Sequence, residues 1–119
     1  LMPDQRYARS RHNVDFIQRY IFPGGFLPST GAIATLTGTH TDMQLIDTLD
    51  ITAHYADTLA VWRRRFHADT EAIRALGYSE DFVRLWDYYF CYCEGGFRER
   101  AIGTAQFLLA KPQYRPQPA

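Results

Sequence analysis

The chain has 119 residues, 13 basic and 13 acidic side chains, and eight Phe, eight Tyr and two Trp. That length allows one small domain or part of a larger one, and zero net charge excludes a long-range field drawing the chain to nucleic acid or anionic lipid. No apolar run approaches the roughly 20 residues of a membrane span and no signal peptide opens the chain, whereas the aromatic surface is more than a chain this size readily buries, so part of it is expected to face a pocket or another domain.

The opening, LMPDQRYARSRHN, is polar, shows no strand pattern and starts on Leu1, which reads as the continuation of something upstream. In VDFIQRYIF, Val14, Ile17 and Ile21 recur at helical spacing and predict a short helix. The loop IFPGGFLPS then spends two phenylalanines where polar residues would turn the chain as well. Within it Pro23-Gly24 suits a type II turn, with the glycine where φ is positive. Ser29 is a good N-cap for TGAIATLTG, a weak helix because of its glycines and threonines.

MQLIDTLDI reads as a strand with Met43, Leu45, Leu49 and Ile51 on one face and Asp47 as the exception. Thr52 is placed to cap one long helix running to Gly77, along which Tyr55, Leu59, Trp62 and Phe66 form a stripe. Ser79 caps a further helix with Glu80 and Asp81 in its first turn; its stripe is Phe82, Leu85, Trp86, Tyr89, Cys93 and Phe97. GTAQFLLA reads as a last strand, residues 1–111 as one segment, and residues 112–119 as a loose Pro-rich tail. The two strands, separated by a helical pair, can be neighbours. Two strands make a poor sheet alone but a sensible end to an α/β protein.

Three blocks carry more than periodicity: DFIQRYIFPGGFLPS, HYADTLAVWRRRF and YCEGGFRER…AQFLLAKP. In their order and spacing they resemble the C-terminal third of the cyclopropane-fatty-acyl-phospholipid synthases and mycolic acid cyclopropane synthases, which are S-adenosylmethionine-dependent methyltransferases. The resemblance runs from about Asp15 to Lys111. It implies an α/β fragment, the C-terminal part of a Rossmann-like class I methyltransferase sheet with two antiparallel strands and three to four helices. The family's cofactor turn, E-x-G-x-G-x-G, has no counterpart, since Gly24-Gly25 and Gly95-Gly96 lack the pattern. Its catalytic cysteine, glutamate and histidine precede the matched region. The resemblance thus implies S-adenosylmethionine and bicarbonate in an intact enzyme, neither expected on this piece, and a missing N-terminal methyltransferase portion as its first partner.

In the family, an alkene carbon of an unsaturated fatty acyl lipid attacks the sulfonium methyl, leaving a carbocation. A base then takes a proton from the new methyl group and the ring closes. Such a cation is kept from water and stabilised by aromatic faces. The resemblance assigns Tyr55 to orienting bicarbonate as that base, and Phe22, Pro23, Leu27, Leu59, Tyr89, Cys93 and Phe97 to the acyl-channel wall. A standalone acyl-binding or dimerisation module without catalysis is the alternative. Exposed aromatic faces would make the isolated chain a homodimer. The expected location is the cytoplasm, or peripherally at a membrane surface.

Plainer readings stand beside these. Cys91 and Cys93 sit one residue apart on a helix, where they cannot easily bridge, which fits a reducing compartment and inert buried thiols. His12, His40, His54 and His67 show no metal-ligand spacing. A triad of Ser29, His54 and Asp57 can be drawn only on paper. The arginines of WRRRF read as a solvated face with snorkelling stems, or as a lipid-headgroup contact.

Overall fold

The computed structural model describes residues 1–115; the last four residues of the expected Pro-rich tail lie outside the described residues. The order of elements is α1 (Asp4–Ser10), a π-helical turn (Ile17–Ile21), α2 (Thr30–His40), β1 (Gln44–Asp50), α3 (Thr52–Ala68), α4 (Thr70–Ala75), α5 (Glu80–Arg98) and β2 (Ala105–Ala110). β1 and β2 pair antiparallel, as expected.

Local chemistry explains most boundaries. Gly25 N–H donates to the Phe22 carbonyl at 2.9 Å across Pro23-Gly24, and Gly24 has φ +81°, so the type II turn forms as read. The Ser29 hydroxyl accepts from Ala32 N–H, and the Ser79 hydroxyl from Phe82 N–H. Thr52 does not cap α3. It is the first helical residue, its N–H donates to Asp50 Oδ1 at 2.8 Å, and its hydroxyl accepts from Thr104 N–H at 3.1 Å. The long helix expected up to Gly77 breaks at Asp69. There the Thr70 hydroxyl takes the carbonyls of Phe66 and His67, competing with the backbone ladder.

The strand face also differs from its pattern. Leu45 pairs with Leu109 but Asp47 pairs with Leu108, so a β-bulge at Ile46 flips the alternation. Leu45 and Leu49 therefore lie on opposite faces, and Asp47 shares the face of Leu49 and Leu108, both about half exposed.

The core sits between α3 and α5, where Ala56, Leu59, Phe90, Cys93 and Phe97 are buried. Tyr55, Phe66, Trp86 and Tyr89 pack against that cluster. Periodicity placed Trp62 in the stripe and left out Phe90; Trp62 is 43 % exposed and Phe90 7 %. The spacing fixes which residues align, but the axis of the partner helix fixes which of them it covers. Accessible surface totals 8820 Å², against about 6,600 Å² for a compact monomer of this mass. The radius of gyration is 18.2 Å, against about 13.5 Å for a compact domain of this length. The difference in area is of the size that specific interfaces bury.

Candidate functional site

An open cavity of about 1250 Å³ lies between the α3–α5 pair, the loop before α2 and the first 18 residues. Its apolar wall is assembled from distant segments. Phe22 and Leu27 come from the loop, Tyr55 and Leu59 from α3, and Tyr89, Cys93 and Phe97 from α5. Tyr55 was expected to orient bicarbonate and the other six to line a channel with Pro23; these seven side chains border one cavity. Pro23 does not border it; its part is to fix the turn that carries Phe22.

Helical geometry explains the α5 contribution, because residues four apart point the same way. Exposure divides the wall in two. Leu59 is 1 % exposed, Cys93 7 % and Phe97 8 %, so they form a packed floor. Phe22 and Leu27, at 51 % and 42 %, stand at an open side. Aromatic contacts hold the geometry. The Tyr55 ring meets Phe97 edge-on at 5.0 Å, and Tyr89 meets Trp86 at 5.2 Å and Phe22 at 6.1 Å. A Cβ at Gly96 would stand 3.1 Å from the Ile102 side chain, which would have to give by a few tenths of an ångström to admit it.

Burial pushes the Tyr89 hydroxyl up to about 12, with the neighbouring Cys93 and Tyr55 adding to the effect. Burial likewise pushes the Cys93 thiol up to about 11. Both are therefore neutral at physiological pH, and Cys93 is no thiolate nucleophile. The Tyr55 hydroxyl makes no hydrogen bond to another described residue, which leaves it free to serve a ligand. Chemically the cavity has an apolar floor with the neutral Tyr89 hydroxyl and Cys93 thiol, suited to an apolar chain, and Arg6, Arg9, Asp15 and Glu99 elsewhere on its wall.

The sequence pattern missed Phe26, which also borders the cavity and lies 5.5 Å from Tyr7. Its signal was present in the apolar loop. Arg6 and Arg9 were missed too, because a polar opening gave no reason to place α1 on the wall. Other candidates are occupied elsewhere. Arg63 Nε donates to Asp87 Oδ1 at 2.7 Å, and His67 Nε2 lies 2.7 Å from the same oxygen. Ser29 is committed to its cap and His54 is exposed on α3. Among the described residues, no three His, Cys, Asp or Glu side chains cluster for a metal. No described helix is long and apolar enough to cross a membrane.

S-adenosylmethionine does not fit what is present. Gly95-Gly96 lie inside α5, Gly24-Gly25 form a surface turn, and neither follows a strand as a nucleotide-binding turn does.

The family model for mycolic acid cyclopropane synthetase matches residues 1–107. Tuberculostearic acid methyltransferase UfaA1 of Mycobacterium tuberculosis is 43 % identical over 110 residues, covering 92 % of this chain and 26 % of that protein. Cyclopropane-fatty-acyl-phospholipid synthase of Escherichia coli is 41 % identical over 100 residues, covering 83 % of this chain and 25 % of that protein. The chain thus spans about a quarter of the length of these relatives. Mycolic acid cyclopropane synthase CmaA1, solved with SAH and CTAB, superposes with TM-score 0.75 at 28 % identity over 88 % of this chain and 34 % of its own. The cyclopropane synthase MmaA2 of Mycobacterium tuberculosis shares the fold, with TM-score 0.78 over 92 % of this chain and 41 % of its own at 24 % identity.

Proposed function

The chain belongs to the mycolic acid cyclopropane synthetase family, and from that premise we propose that it is the C-terminal part of an S-adenosylmethionine-dependent methyltransferase acting on unsaturated fatty acyl chains. Its own contribution is the acyl channel and one positioning hydroxyl. The observation that carries this reading is the cavity, whose wall draws Phe22, Leu27, Tyr55, Leu59, Tyr89 and Phe97 from three separate stretches.

Each side chain has a definable task. Leu59 and Phe97 form a dry floor for methylenes. Phe97, edge-on beneath Tyr55, helps present aromatic faces toward developing positive charge on the acyl chain. Tyr89, kept neutral by burial, adds a polar tip without adding a charge. The Tyr55 hydroxyl, unengaged among the described residues, can donate to a bicarbonate ion and fix its direction. A bicarbonate so held would supply the base for the ring-closing proton. The remaining donors and the whole cofactor site belong to polypeptide outside this chain. Such a piece transfers no methyl group by itself.

The test is Tyr55→Phe in the longer enzyme containing this chain. Turnover is expected to fall by about a hundredfold or more, the usual scale of a positioned acid–base arrangement, with acyl-lipid affinity unchanged. Turnover at the wild-type level would overturn the assignment. That this one chain supplies a buried apolar floor to the cavity favours a second reading, a standalone acyl-binding module. Titrating the 119-residue chain with a fluorescent fatty acid separates the two: tight binding by the chain alone supports the module.

A further inference from the structure

The loop at the open side of the cavity is held by polar ties more than by apolar burial. Phe22 and Leu27, its contribution to the wall, are half exposed, so packing alone does little to keep the loop in one place. The ties run through Gln18. The π-helical turn Ile17–Ile21 is rooted against the core by Ile17, and it closes with Phe22 N–H donating to the Ile17 carbonyl at 2.8 Å. At its start, Asp15 and Gln18 form a reciprocal cap. Gln18 N–H donates to Asp15 Oδ1 at 2.9 Å, and Asp15 N–H donates to Gln18 Oε1 at 3.0 Å. The other end of the same amide points onward, where Gln18 Nε2 donates to the Gly25 carbonyl at 2.9 Å.

One side-chain amide thus joins two backbone groups, three residues back and seven residues on. Its ends are not interchangeable, because Oε1 only accepts and Nε2 only donates. Gly25 N–H in turn donates to the Phe22 carbonyl at 2.9 Å. Gln18 therefore steadies the turn that carries Phe22, whose ring meets Tyr89 edge-on at 6.1 Å. A π-helical turn is rare and recurs at functional sites; this one ends directly before a wall residue.

We propose that Gln18 is a positioning residue for acyl-chain binding: through the Gly25 carbonyl it holds the loop of Phe22 and Leu27 as a fixed wall at the open side of the cavity. Gln18 also borders the cavity, but both ends of its amide are engaged by backbone groups, so it acts through the loop. The proposal rests on the acyl reading of the cavity and adds what keeps the open side in shape.

Gln18→Glu and Gln18→Met separate the two ties. Glutamate keeps the acceptor for Asp15 N–H but turns a carboxylate oxygen toward the Gly25 carbonyl, whereas methionine, similar in length, keeps neither tie. The readouts are amide hydrogen exchange at Gly25 and binding of the uncharged methyl ester of a fluorescent fatty acid to the 119-residue chain. Both variants are expected to speed exchange at Gly25 and to raise the dissociation constant about fivefold, the scale of one lost hydrogen bond, with helical circular dichroism at the wild-type level. In the longer enzyme, KM for the acyl lipid should rise by a similar factor at unchanged kcat, because the wall contributes binding that ground and transition states share. Gln18→Glu that binds the ester like wild type would overturn the proposal, since the cap alone would then suffice. So would variants that speed exchange at Gly25 but leave affinity and KM unchanged, or that lower kcat at constant KM. Wild-type chain that binds no ester counts against the acyl reading, and the proposal falls with it. Variants with wild-type exchange at Gly25 overturn the tie alone, whatever the ester does.

Discussion

Leu59→Ala probes whether the cavity floor is core or merely lining. Leu59 is 1 % exposed and lies in the buried cluster with Ala56, Phe90, Cys93 and Phe97. Truncation removes three buried carbons, at about 0.8 kcal/mol each, or about 2.4 kcal/mol. A sealed void would add to that cost, and buried Leu→Ala changes range over about 2.7–5.0 kcal/mol in T4 lysozyme. Here the new space merges with an existing open cavity, so the added term is small. The expected loss is about 2.5–3 kcal/mol, the low end of that range. Urea unfolding should show this as a fall in midpoint of about 1–2 M at unchanged slope. Leu59→Met, nearly equal in volume, should cost less than about 1.5 kcal/mol. A loss below about 1 kcal/mol for Leu59→Ala would mean that α3 and α5 do not pack as described. A loss above about 4 kcal/mol would mean that Leu59 is sealed away from the cavity.

Asp87 is held below the ordinary carboxylate range, first by its hydrogen bond from Arg63 and then by His67. A depressed carboxylate adds stability above its unfolded value and loses it as pH falls through its folded one. Asp87→Asn should therefore cost about 1 kcal/mol near neutrality, the scale of a partly exposed pair, and its stability should converge with wild type in acid, as followed by urea unfolding across pH. Tyr89, raised to about 12 by burial, should give the latest step in an ultraviolet tyrosinate titration, and Tyr89→Phe should remove it; because its proton is bound more tightly in the folded state, stability falls as pH rises from about 10 toward 12. Light scattering at tens of micromolar should report twice the mass of one chain, given the surplus of exposed surface; a monodisperse monomer would refute self-association.

Features that depend on neighbours along the chain were legible in the order of residues alone. Hydroxyl caps at Ser29 and Ser79, the turn at Pro23-Gly24, and the stop at Gly77 are local bargains between a side chain and backbone groups a few residues away. The two stripes were equally legible, because a 3.6-residue period is written in the order of residues. Their roles as a cavity wall came from the family resemblance, not from the stripes themselves. Tertiary structure decided what involves distant partners. Thr52 looked like a cap, but the backbone of Thr104, 52 residues on, claims its hydroxyl. Asp47 looked like an exception on its strand, but a bulge between Leu45 and Asp47 puts it opposite Leu108, on the face of Leu49 and away from Leu45. Arg6 and Arg9 gave no sign of bordering a cavity until α1 was folded beside the connection after α5, with Arg6 donating to the Ala101 carbonyl. Caps and periods are short-range and visible in one dimension; which helix covers which face depends on packing, where residues far apart compete for the same volume and the same hydrogen bonds.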